Sequence, residues 1–231
     1  MARKAESQYG RQLRKVARYV GEIVNGFDPD PQTTPTIVRA LESYAESLDA
    51  WARSTASRML DDVRRRDEAA WMQQAKEMSA ALRDEIRNAP TGQLLQTLLG
   101  EQVTLIKSLP LEAAQRVHDL TLKGLEDSTR AKEIAKEIGR SGEVTASRAN
   151  LIARTEVART ASLLTQARAE HIGSEGYIWR TSGDSDVRHS HQEMEGKYVR
   201  WDSPPRLSDG TVTHAGQIYN CRCYPEPVIP E

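Results

Sequence analysis

The sequence predicts a mainly α-helical chain that ends in a small α+β module, in which long helices are followed by a short antiparallel sheet. Apolar residues recur every three or four positions through roughly the first 170 of the 231 residues, which is the spacing of one helix face. After Gly173 and Gly176 this period ends, and short runs rich in aromatic and β-branched residues begin. Both cysteines, three of the five histidines and two of the four tryptophans lie between Trp179 and Pro227, so we expect the specific chemistry of the chain there.

The composition argues against several classes of protein. Lysine plus arginine total 32 against 33 aspartate plus glutamate, a net charge of −1, so no global positive charge favours nucleic-acid binding. No apolar run approaches the ~20 residues that cross a bilayer, and the first residues contain no secretory signal. Two cysteines one residue apart do not make a disulfide framework. We therefore expect cytosolic synthesis, reduced thiols and no membrane contact.

Residues 1–108 form the first of two predicted regions, an N-terminal helical region whose amphipathic helices suit docking against a partner. An apolar stripe over residues 9–27 predicts the first helix. Gly26 and the proline-containing segment 28–31 end it, because proline cannot continue the hydrogen-bond ladder. We interpret this stripe and those that follow as packed helix–helix core.

A second helix is predicted from Thr34, where a threonine N-cap precedes a proline at the first helical position, Pro35. Its apolar stripe extends through a charged stretch to Ile86, either as one very long helix or as two helices with a break near residues 66–67. The basic cluster at residues 64–66 lies in that stretch. Acidic neighbours cancel its field, so we interpret it as a solvated helix face.

The second predicted region spans residues 109–231 and comprises a helical lead-in at 109–172 and a small β module at 177–228. The helical pattern that leads into it, over residues 94–125, predicts two segments divided at Pro110, since proline interrupts a helix.

Two further helices are predicted to complete the lead-in. Residues 128–129 can cap a short helix that Gly139 or Gly142 closes. Thr145 can cap the last helix, which is expected to end near His171.

The last predicted helix presents polar residues on the face that should be buried. Thr155, Glu156 and Arg159 recur at helical steps with Ile152 and Leu163. A buried carboxylate and guanidinium must be paired, or folding loses several kcal/mol. We interpret them as an ion-pair network that fixes this helix to the C-terminal module. The alternative is a catalytic glutamate beside an anion-binding arginine, although no glycine-rich loop, G-x-S-x-G or H-E-x-x-H motif accompanies them.

Three strands are predicted in the β module, at residues 177–181, 196–201 and 220–224. Between the first two strands, residues 183–196 are expected to form a turn with a short helical piece. Residues 202–216, rich in proline, serine, aspartate and glycine, are expected to form a loop. The prolines near the C-terminus predict an extended tail.

Four side chains of the module are candidate ligands of a structural zinc ion. In a strand, Cys221 and Cys223 would project from the same face. The candidate set is His191, His214, Cys221 and Cys223, with His189 as a substitute. A structural zinc suits a loop-rich module with little core, because its binding free energy is folding free energy. The alternative is that the cysteines are small buried apolar residues and the histidines are polar loop groups.

Several separated motifs lie in order along the second region: I-A-R-T-E-V-A-R, then a tryptophan, then D-x-R-x-x-H with a later glycine, then N-C-R-C. Their residues are Arg154, Thr155, Glu156, Arg159, Trp179, Asp186, Arg188, His191, Gly196, Asn220, Cys221, Arg222 and Cys223. In this order they resemble the phage head morphogenesis family, the Mu F-like and SPP1 minor head protein-like group. The resemblance covers residues 109–228.

The resemblance implies a minor head (capsid) protein of a tailed bacteriophage or prophage, made in the bacterial cytoplasm and packaged in the virion head in few copies. It implies association with the portal protein and with coat or scaffolding protein, and a role in head morphogenesis or DNA delivery. Packaged DNA is a further candidate partner. Some relatives are fused to toxin domains such as ADP-ribosyltransferases, but we expect this chain to be too short for such an addition and not to be an enzyme.

Two pairs of residues depart from the family pattern. Many relatives have a cysteine pair where this chain has Arg188 and His191, and many have His-Pro at residues 218–219. A metal ion would then need histidines in place of some thiolates. Without a metal, Asp186, Arg188 and His191 would form a hydrogen-bonded brace for their loop. Arg222 would point away from the cysteines and pair with an acidic group.

A metal-dependent hydrolase or nuclease is the alternative hypothesis. Its candidate residues are His189, His191, His214 and Glu193. Such an enzyme needs an open metal position and a base beside it.

Overall fold

Long helices occupy most of the chain up to residue 171, and a three-stranded antiparallel sheet follows them. The computed structural model describes residues 2–27, 32–75, 79–126 and 131–229. In this part of the chain the predicted fold class, mainly helical with a small C-terminal antiparallel sheet, is confirmed. None of the described helices is both long and apolar enough to cross a membrane.

The described residues contain eight helices and three strands. The helices are α1 (Ala2–Asn25), α2 (Thr34–Ser47), α3 (Asp49–Gln74), α4 (Ala80–Asn88), α5 (Gly92–Glu126), α6 (Ala131–Gly139), α7 (Ser141–His171) and α8 (His189–Gln192). The strands are β1 (Gly176–Arg180), β2 (Tyr198–Arg200) and β3 (Tyr224–Pro227).

Two compact units divide the chain, and each is assembled from separate stretches of sequence. Unit 1 comprises Met1–Glu6, Arg58–Leu98 and Arg154–Glu231, and unit 2 comprises Ser7–Ser57 and Leu99–Ala153. Unit 1 therefore contains the sheet and the whole of the predicted β module.

Each unit has a core of its own. The core of unit 1 centres on Tyr177 and Trp179, which are fully buried on β1. Its other buried members are Trp71, Ala75, Ile86, Ala169, Ile172, Val199, Trp201, Leu207, Ala215, Cys221 and Cys223. A core cluster in unit 2 consists of Val20, Val24, Ile37, Leu41, Ala113, Ala114, Val117 and Ile138. The apolar stripes of the sequence therefore supply core residues, as predicted.

Helix α5 passes through Pro110 without a break, so the predicted division into two helices is wrong. Proline lacks an amide hydrogen, and one rung of the helical ladder is missing there. Leu109 and Ala113 beside it are buried in unit 2, and this packing stabilises the helix against the loss. The predicted region boundary after residue 108 therefore lies inside a helix.

Helix α2 begins with Thr33 as its N-cap, one residue earlier than predicted, and Pro35 follows in its first turn. Thr34 is instead a helical residue with a buried side chain, and its Oγ1 lies 3.0 Å from Oγ1 of Thr121. A hydrogen bond in the core of unit 2 therefore takes the hydroxyl that the sequence pattern assigned to capping. Helix α1 ends at Asn25, directly before Gly26, as predicted, whereas the proline-containing segment at residues 28–31 lies outside the described residues.

Helix α7 begins at Ser141 and ends at His171, so its predicted end is confirmed and its predicted cap is wrong. Thr145 lies inside the helix, where its hydroxyl donates to the carbonyl oxygen of Ser141 (2.7 Å). Gly142 is also helical, and glycine is needed there because a Cβ would come within 2.8 Å of the Cα of Gly21. Gly139 ends α6, as predicted, whereas the predicted cap at residues 128–129 lies outside the described part of the chain.

Neither alternative predicted for the stripe up to Ile86 is correct, because it comprises three helices, α2, α3 and α4, and α3 continues through Asp67. The buried carboxylate of Asp67 accepts a hydrogen bond from Nε of Arg168 on α7 (2.8 Å) and another from the hydroxyl of Thr165 (2.9 Å). Arg168 also donates to the carbonyl oxygen of Ile86 at the end of α4. Because both charges have partners, their desolvation is offset, and the pair connects three helices of unit 1.

The sheet has the strand order β2-β1-β3, with both pairs antiparallel. Strands β1 and β2 lie within one or two residues of their predicted bounds, and the short helix α8 occurs between them, as predicted. The third strand begins at Tyr224, so the prediction of residues 220–224 as the strand is wrong. Asn220 has φ +54°, and this left-handed residue turns the chain before pairing begins. Pro225 and Pro227 are tolerated because β3 is an edge strand.

Removing either member of the Asp67–Arg168 pair should destabilise unit 1 strongly. We expect Asp67→Ala and Arg168→Ala each to lower the free energy of unfolding by about 3–5 kcal/mol, because each leaves a buried charge unpaired. The measurement is urea denaturation followed by tryptophan fluorescence, which favours unit 1 because Trp71, Trp179 and Trp201 belong to it.

The control variant is Arg87→Ala, which removes an exposed pair with Asp84 (3.1 Å) and should cost less than about 1 kcal/mol. The double variant Asp67→Leu/Arg168→Met should lose less than either single variant, because it leaves no buried charge. Equal losses for Arg168→Ala and Arg87→Ala would contradict this account of the pair.

Candidate metal centre

Three of the predicted zinc ligands come together in unit 1. Nδ1 of His191 lies 3.5 Å from Sγ of Cys221 and 3.4 Å from Sγ of Cys223. Among the described residues, these three side chains form a group whose ligand atoms all lie within 4.8 Å of one another. All three side chains are at most 5% exposed, and a cavity lies against them.

Two short segments position these ligands. His191 lies on α8, and its ring packs edge-on against Trp179 of β1, with ring centroids 5.6 Å apart. The cysteines lie in the turn before β3, where the amide of Cys223 donates to Sγ of Cys221 (3.3 Å). The two thiols therefore converge through a turn, and not through the common strand face that the sequence pattern indicated.

The separations within the cluster fit a tetrahedral metal ion. Zinc binds sulfur at about 2.3 Å and imidazole nitrogen at about 2.0–2.1 Å, so two such ligands lie about 3.5 Å apart at the tetrahedral angle. Nε2 of His191 is buried without a hydrogen-bond partner among the described residues. The outer nitrogen of a ligating histidine usually has such a partner, so this is a departure from common metal sites. One imidazole and two thiols could hold three of the four positions around zinc.

One of the two thiols loses its proton readily, and the other does not. Hydrogen bonds from the Cys223 thiol and from His191 lower the pKa of Cys221 to about 4, although burial opposes this shift. The same hydrogen bond, together with burial, raises the pKa of Cys223. One thiolate therefore forms easily and the second does not, and a bound cation would favour the fully deprotonated pair.

The other two predicted zinc ligands lie elsewhere. Nδ1 of His214 is 3.1 Å from the hydroxyl of Tyr177, and burial lowers the pKa of this histidine. His189 is on the exposed side of α8, with 84% of its side chain accessible, and its Nδ1 lies 3.4 Å from Glu193. The structure does not bring either histidine into the group formed by His191 and the cysteines.

The motif arginines around the cluster have specific partners. The guanidinium of Arg222 lies 3.1 Å from Asp184 and 3.2 Å from Asp186, which gives it the acidic partners that its position predicted. Arg188 donates to the carbonyl oxygen of Tyr219 (3.1 Å) and lies 4.7 Å from the centre of that ring. The predicted brace of Asp186, Arg188 and His191 is therefore replaced by two separate contacts.

Helix α7 holds the cysteine turn at Asn220. The amide of Asn220 donates to the hydroxyl of Thr155 (2.9 Å), and its side-chain oxygen accepts from Arg154 (2.9 Å). Arg154 also pairs with Glu6 (3.2 Å). These contacts connect the last lead-in helix to the module, which is the role that the sequence analysis gave to an ion-pair network.

The predicted ion pair itself lies within α7. Glu156 is buried, and Arg159 donates to its carboxylate at 3.1 Å. One turn further along α7, the hydroxyl of Ser162 donates to the carbonyl oxygen of Ala215 (2.7 Å). Polar contacts from this helix to the module therefore extend beyond the residues of the motif.

Two motif residues organise β1 and the turn that follows it. Trp179 is fully buried on β1. The amide of Gly196 donates to the carbonyl oxygen of Trp179 (2.9 Å), and its φ of +76° is a conformation that favours glycine. The motif therefore includes one core residue and one backbone requirement, in addition to polar groups.

Three residues of the site were missed by the sequence analysis: Asp184, Tyr219 and Gly216. Gly216 has φ +80°, and a Cβ there would come within 2.8 Å of the carbonyl oxygen of Cys223. The D-S-D spacing of Asp184 and Asp186 was a signal for paired acids. The contact of Tyr219 with Arg188 spans 31 positions and had no local signal.

The fold and the site together define a helical protein that ends in a cysteine- and histidine-containing module. Residues 115–225, about half of the chain, match the family model described as Phage Mu protein F like protein. The matched segment contains every residue of the candidate metal cluster and of the motifs around it. This segment of the chain belongs to the Mu F-like phage head morphogenesis family, and the resemblance drawn from its motifs is confirmed.

Two curated relatives are similar to longer or shorter parts of the chain. An uncharacterised protein of Haemophilus influenzae is 27% identical over 252 aligned positions, which cover 99% of this chain and 54% of that protein. The NAD(+)–arginine ADP-ribosyltransferase EFV of Enterococcus faecalis is 32% identical over 122 positions, covering 48% of this chain and 25% of that protein. The chain thus spans about half the length of the first relative and a quarter of the second. No solved structure matches it.

Loss of the Thr155 hydroxyl should loosen the cysteine turn. Thr155→Val keeps the side-chain shape but removes the acceptor of the Asn220 amide, at a cost of about 1 kcal/mol and hence roughly fivefold more opening. We expect Cys221 and Cys223 in metal-free protein to react with a thiol reagent faster by the same factor.

Thr97→Val is the matched control, since Thr97 is an exposed helical threonine whose hydroxyl donates to the carbonyl oxygen of Gln93. Its thiol reaction rate should equal that of the unmodified protein. An unchanged rate in Thr155→Val would show that α7 does not hold the turn through this hydroxyl.

Proposed function

We propose that the protein is a minor head protein of a tailed phage or prophage that associates with the portal protein during procapsid assembly. Membership of the Mu F-like family, which indicates phage head morphogenesis, is the observation that supports this most directly. The finer role, in few copies at the portal and in contact with coat or scaffolding protein, is our proposal. A place in the virion head follows from the same role.

The arrangement of the motif supports an architectural function. Its residues come from α7, β1, α8 and the cysteine turn, which are distant in sequence and adjacent in unit 1. Most of them form hydrogen bonds, ion pairs or core contacts with one another, as Arg154 does with Asn220 and Trp179 with His191. A motif of this kind preserves the shape of a module, which is what an assembly surface requires.

We further propose that His191, Cys221 and Cys223 bind a structural zinc ion. The ion would connect α8 to the turn before β3, two segments that little regular structure stabilises otherwise. Its binding free energy would add directly to the stability of the module. His214 is not needed for this site, because its ring is already hydrogen-bonded to Tyr177 in the core.

The alternative, a hydrolase or nuclease, is less well supported by the geometry. His189 and Glu193 form an exposed pair on α8, whereas His191 is buried with the cysteines and His214 is buried against Tyr177. These four residues are therefore not one site. The activity in the name of the Enterococcus relative belongs to that protein, of which the shared segment is a quarter. We propose that the segment is shared for assembly and that this chain performs no turnover.

Purified protein should contain one zinc ion per chain. Cys223→Ser should lower the zinc content at least tenfold and lower the melting temperature, because one thiolate ligand is lost. The measurements are elemental analysis and thermal unfolding with and without a chelator.

His189→Ala and His214→Ala distinguish the candidate ligands. The first should leave zinc content and melting temperature unchanged, and the second should lower the melting temperature but keep the zinc. Zinc-free protein with an unchanged melting temperature after chelation would show that the cluster is a buried polar group without metal.

Assembly should depend on the portal protein. When the chain is co-expressed with the portal, coat and scaffolding proteins of its own phage, we expect it in purified procapsids at low copy number, measured by quantitative mass spectrometry. Particles assembled without the portal protein should lack it. Cys221→Ser/Cys223→Ser should reduce its incorporation, and His189→Ala should not.

Equal incorporation into particles with and without the portal would exclude portal association while keeping a head function. Absence from all particles, with the soluble protein folded, would contradict the head function itself.

A further inference from the structure

We propose that a carboxylate from an acidic side chain of a partner protein occupies the fourth coordination position of the metal ion, and that Arg188 holds this carboxylate. The inference rests on the proposed zinc site and names the kind of group that completes it. It makes the metal centre a docking point for another protein, in addition to a structural cross-link.

The cluster offers three ligands to a metal ion. A structural zinc ion takes four ligands, whereas a zinc ion with three protein ligands keeps a position open for another group. Among the described residues, the cluster of His191, Cys221 and Cys223 includes no fourth histidine, cysteine or acidic group. The two histidines proposed from the sequence lie elsewhere, and Asp186, the one carboxylate that lines the neighbouring cavity, is paired with Arg222.

The cluster can be reached from outside the protein. A cavity of about 300 Å³ lies against the cluster and is lined by all three ligands. Its rim includes the exposed residues Ser182 and Asp186, so a group from outside can enter it. The volume is sufficient for an acidic side chain, and the buried cluster forms its inner wall.

The charged side chains that line this cavity are mainly positive. Three arginines, Arg154, Arg188 and Arg222, line this cavity, together with one carboxylate, that of Asp186. Glu6 pairs with Arg154, and Asp186 with Asp184 pairs with Arg222. A divalent ion with two thiolates and a neutral imidazole is uncharged, so it would not cancel the positive charge of the third arginine. An anion would.

Contacts with Tyr219 fix the orientation of Arg188. Its guanidinium is half-buried, donates to the carbonyl oxygen of Tyr219 and stacks on that ring, and no carboxylate of the described residues lies within ion-pair distance. An arginine held in this way is ordered before the ligand arrives, so little side-chain entropy is lost on binding. Its remaining N–H groups form the planar fork that matches a carboxylate.

A carboxylate fits these features better than the phosphate of a nucleic acid. Aspartate and glutamate oxygens are ordinary zinc ligands, and arginine binds carboxylates through two parallel hydrogen bonds. Binding of a nucleic-acid backbone usually relies on many lysines and arginines, whereas this chain has a net charge of −1. The ligand therefore belongs to a protein, on an exposed acidic segment.

The test uses the full chain with cobalt(II) in place of zinc, because the visible spectrum of cobalt reports its ligands. Sodium acetate is the carboxylate probe and inorganic phosphate is the competing probe, at constant ionic strength and pH. We expect acetate to change the cobalt absorption bands in a saturable way, with phosphate at least tenfold weaker. Arg188→Gln should raise the apparent Kd for acetate about tenfold, as expected for loss of a charge-assisted hydrogen bond.

Arg206→Gln is the matched control, since Arg206 also donates to a backbone carbonyl (3.1 Å, to Gly210) and does not line the cavity. Its acetate affinity should be unchanged. In every variant, the sulfur-to-cobalt charge-transfer band shows that the cluster is folded and loaded, so a failed variant is recognised independently of acetate.

The outcomes separate the two proposals. Absence of the sulfur-to-cobalt band in the unmodified protein overturns the metal site, and this inference with it. A normal band that neither probe alters overturns the docking inference alone. A response to phosphate stronger than to acetate also overturns it, because the ligand would then be a phosphate group.

Discussion

The candidate site depends on one backbone constraint, the left-handed conformation of Asn220. Asparagine tolerates this conformation better than most residues, but it still requires support from its surroundings. Helix α7 provides that support through Thr155, which accepts the Asn220 amide, and Arg154, which binds its side-chain oxygen. The turn that follows points Cys221 and Cys223 at His191. A helix motif and a cysteine motif more than 60 residues apart therefore act as one structural element.

Helix periodicity was sufficient to predict the fold class, because a stripe of apolar residues has the same consequence in any helical protein. It was not sufficient for the helix ends. Pro110 remains inside α5 because buried neighbours outweigh one missing hydrogen bond, and Thr34 uses its hydroxyl in the core instead of at a cap. The break considered near Asp67 does not occur, because an arginine 101 positions away neutralises that carboxylate. In each case a distant contact decided the local structure, and a local pattern contains no record of it.

The site could be predicted in chemistry and only partly in geometry. Cysteine and histidine are the residues that bind soft metal ions, so residue type alone selected Cys221, Cys223 and His191 as candidates. The same criterion selected His214, and nothing in the sequence indicated that the hydroxyl of Tyr177 would lie beside its ring. The strand assumed for the cysteines was also displaced by the turn at Asn220. Residues two positions apart lie on the same face only if the segment is a strand. The segment that contains Cys221 and Cys223 is a turn.

A zinc ion with three ligands from this chain, as we propose, would couple metal binding to assembly. If a partner supplies the fourth ligand, the factor by which the metal strengthens partner binding must equal the factor by which the partner strengthens metal binding. The same open position would serve hydrolysis only if a base could activate water there. The one carboxylate that lines the cavity, Asp186, forms an ion pair with Arg222, which also pairs with Asp184. The surroundings of the cluster therefore favour a ligand that stays over a water molecule that reacts, which is the behaviour expected of an assembly protein.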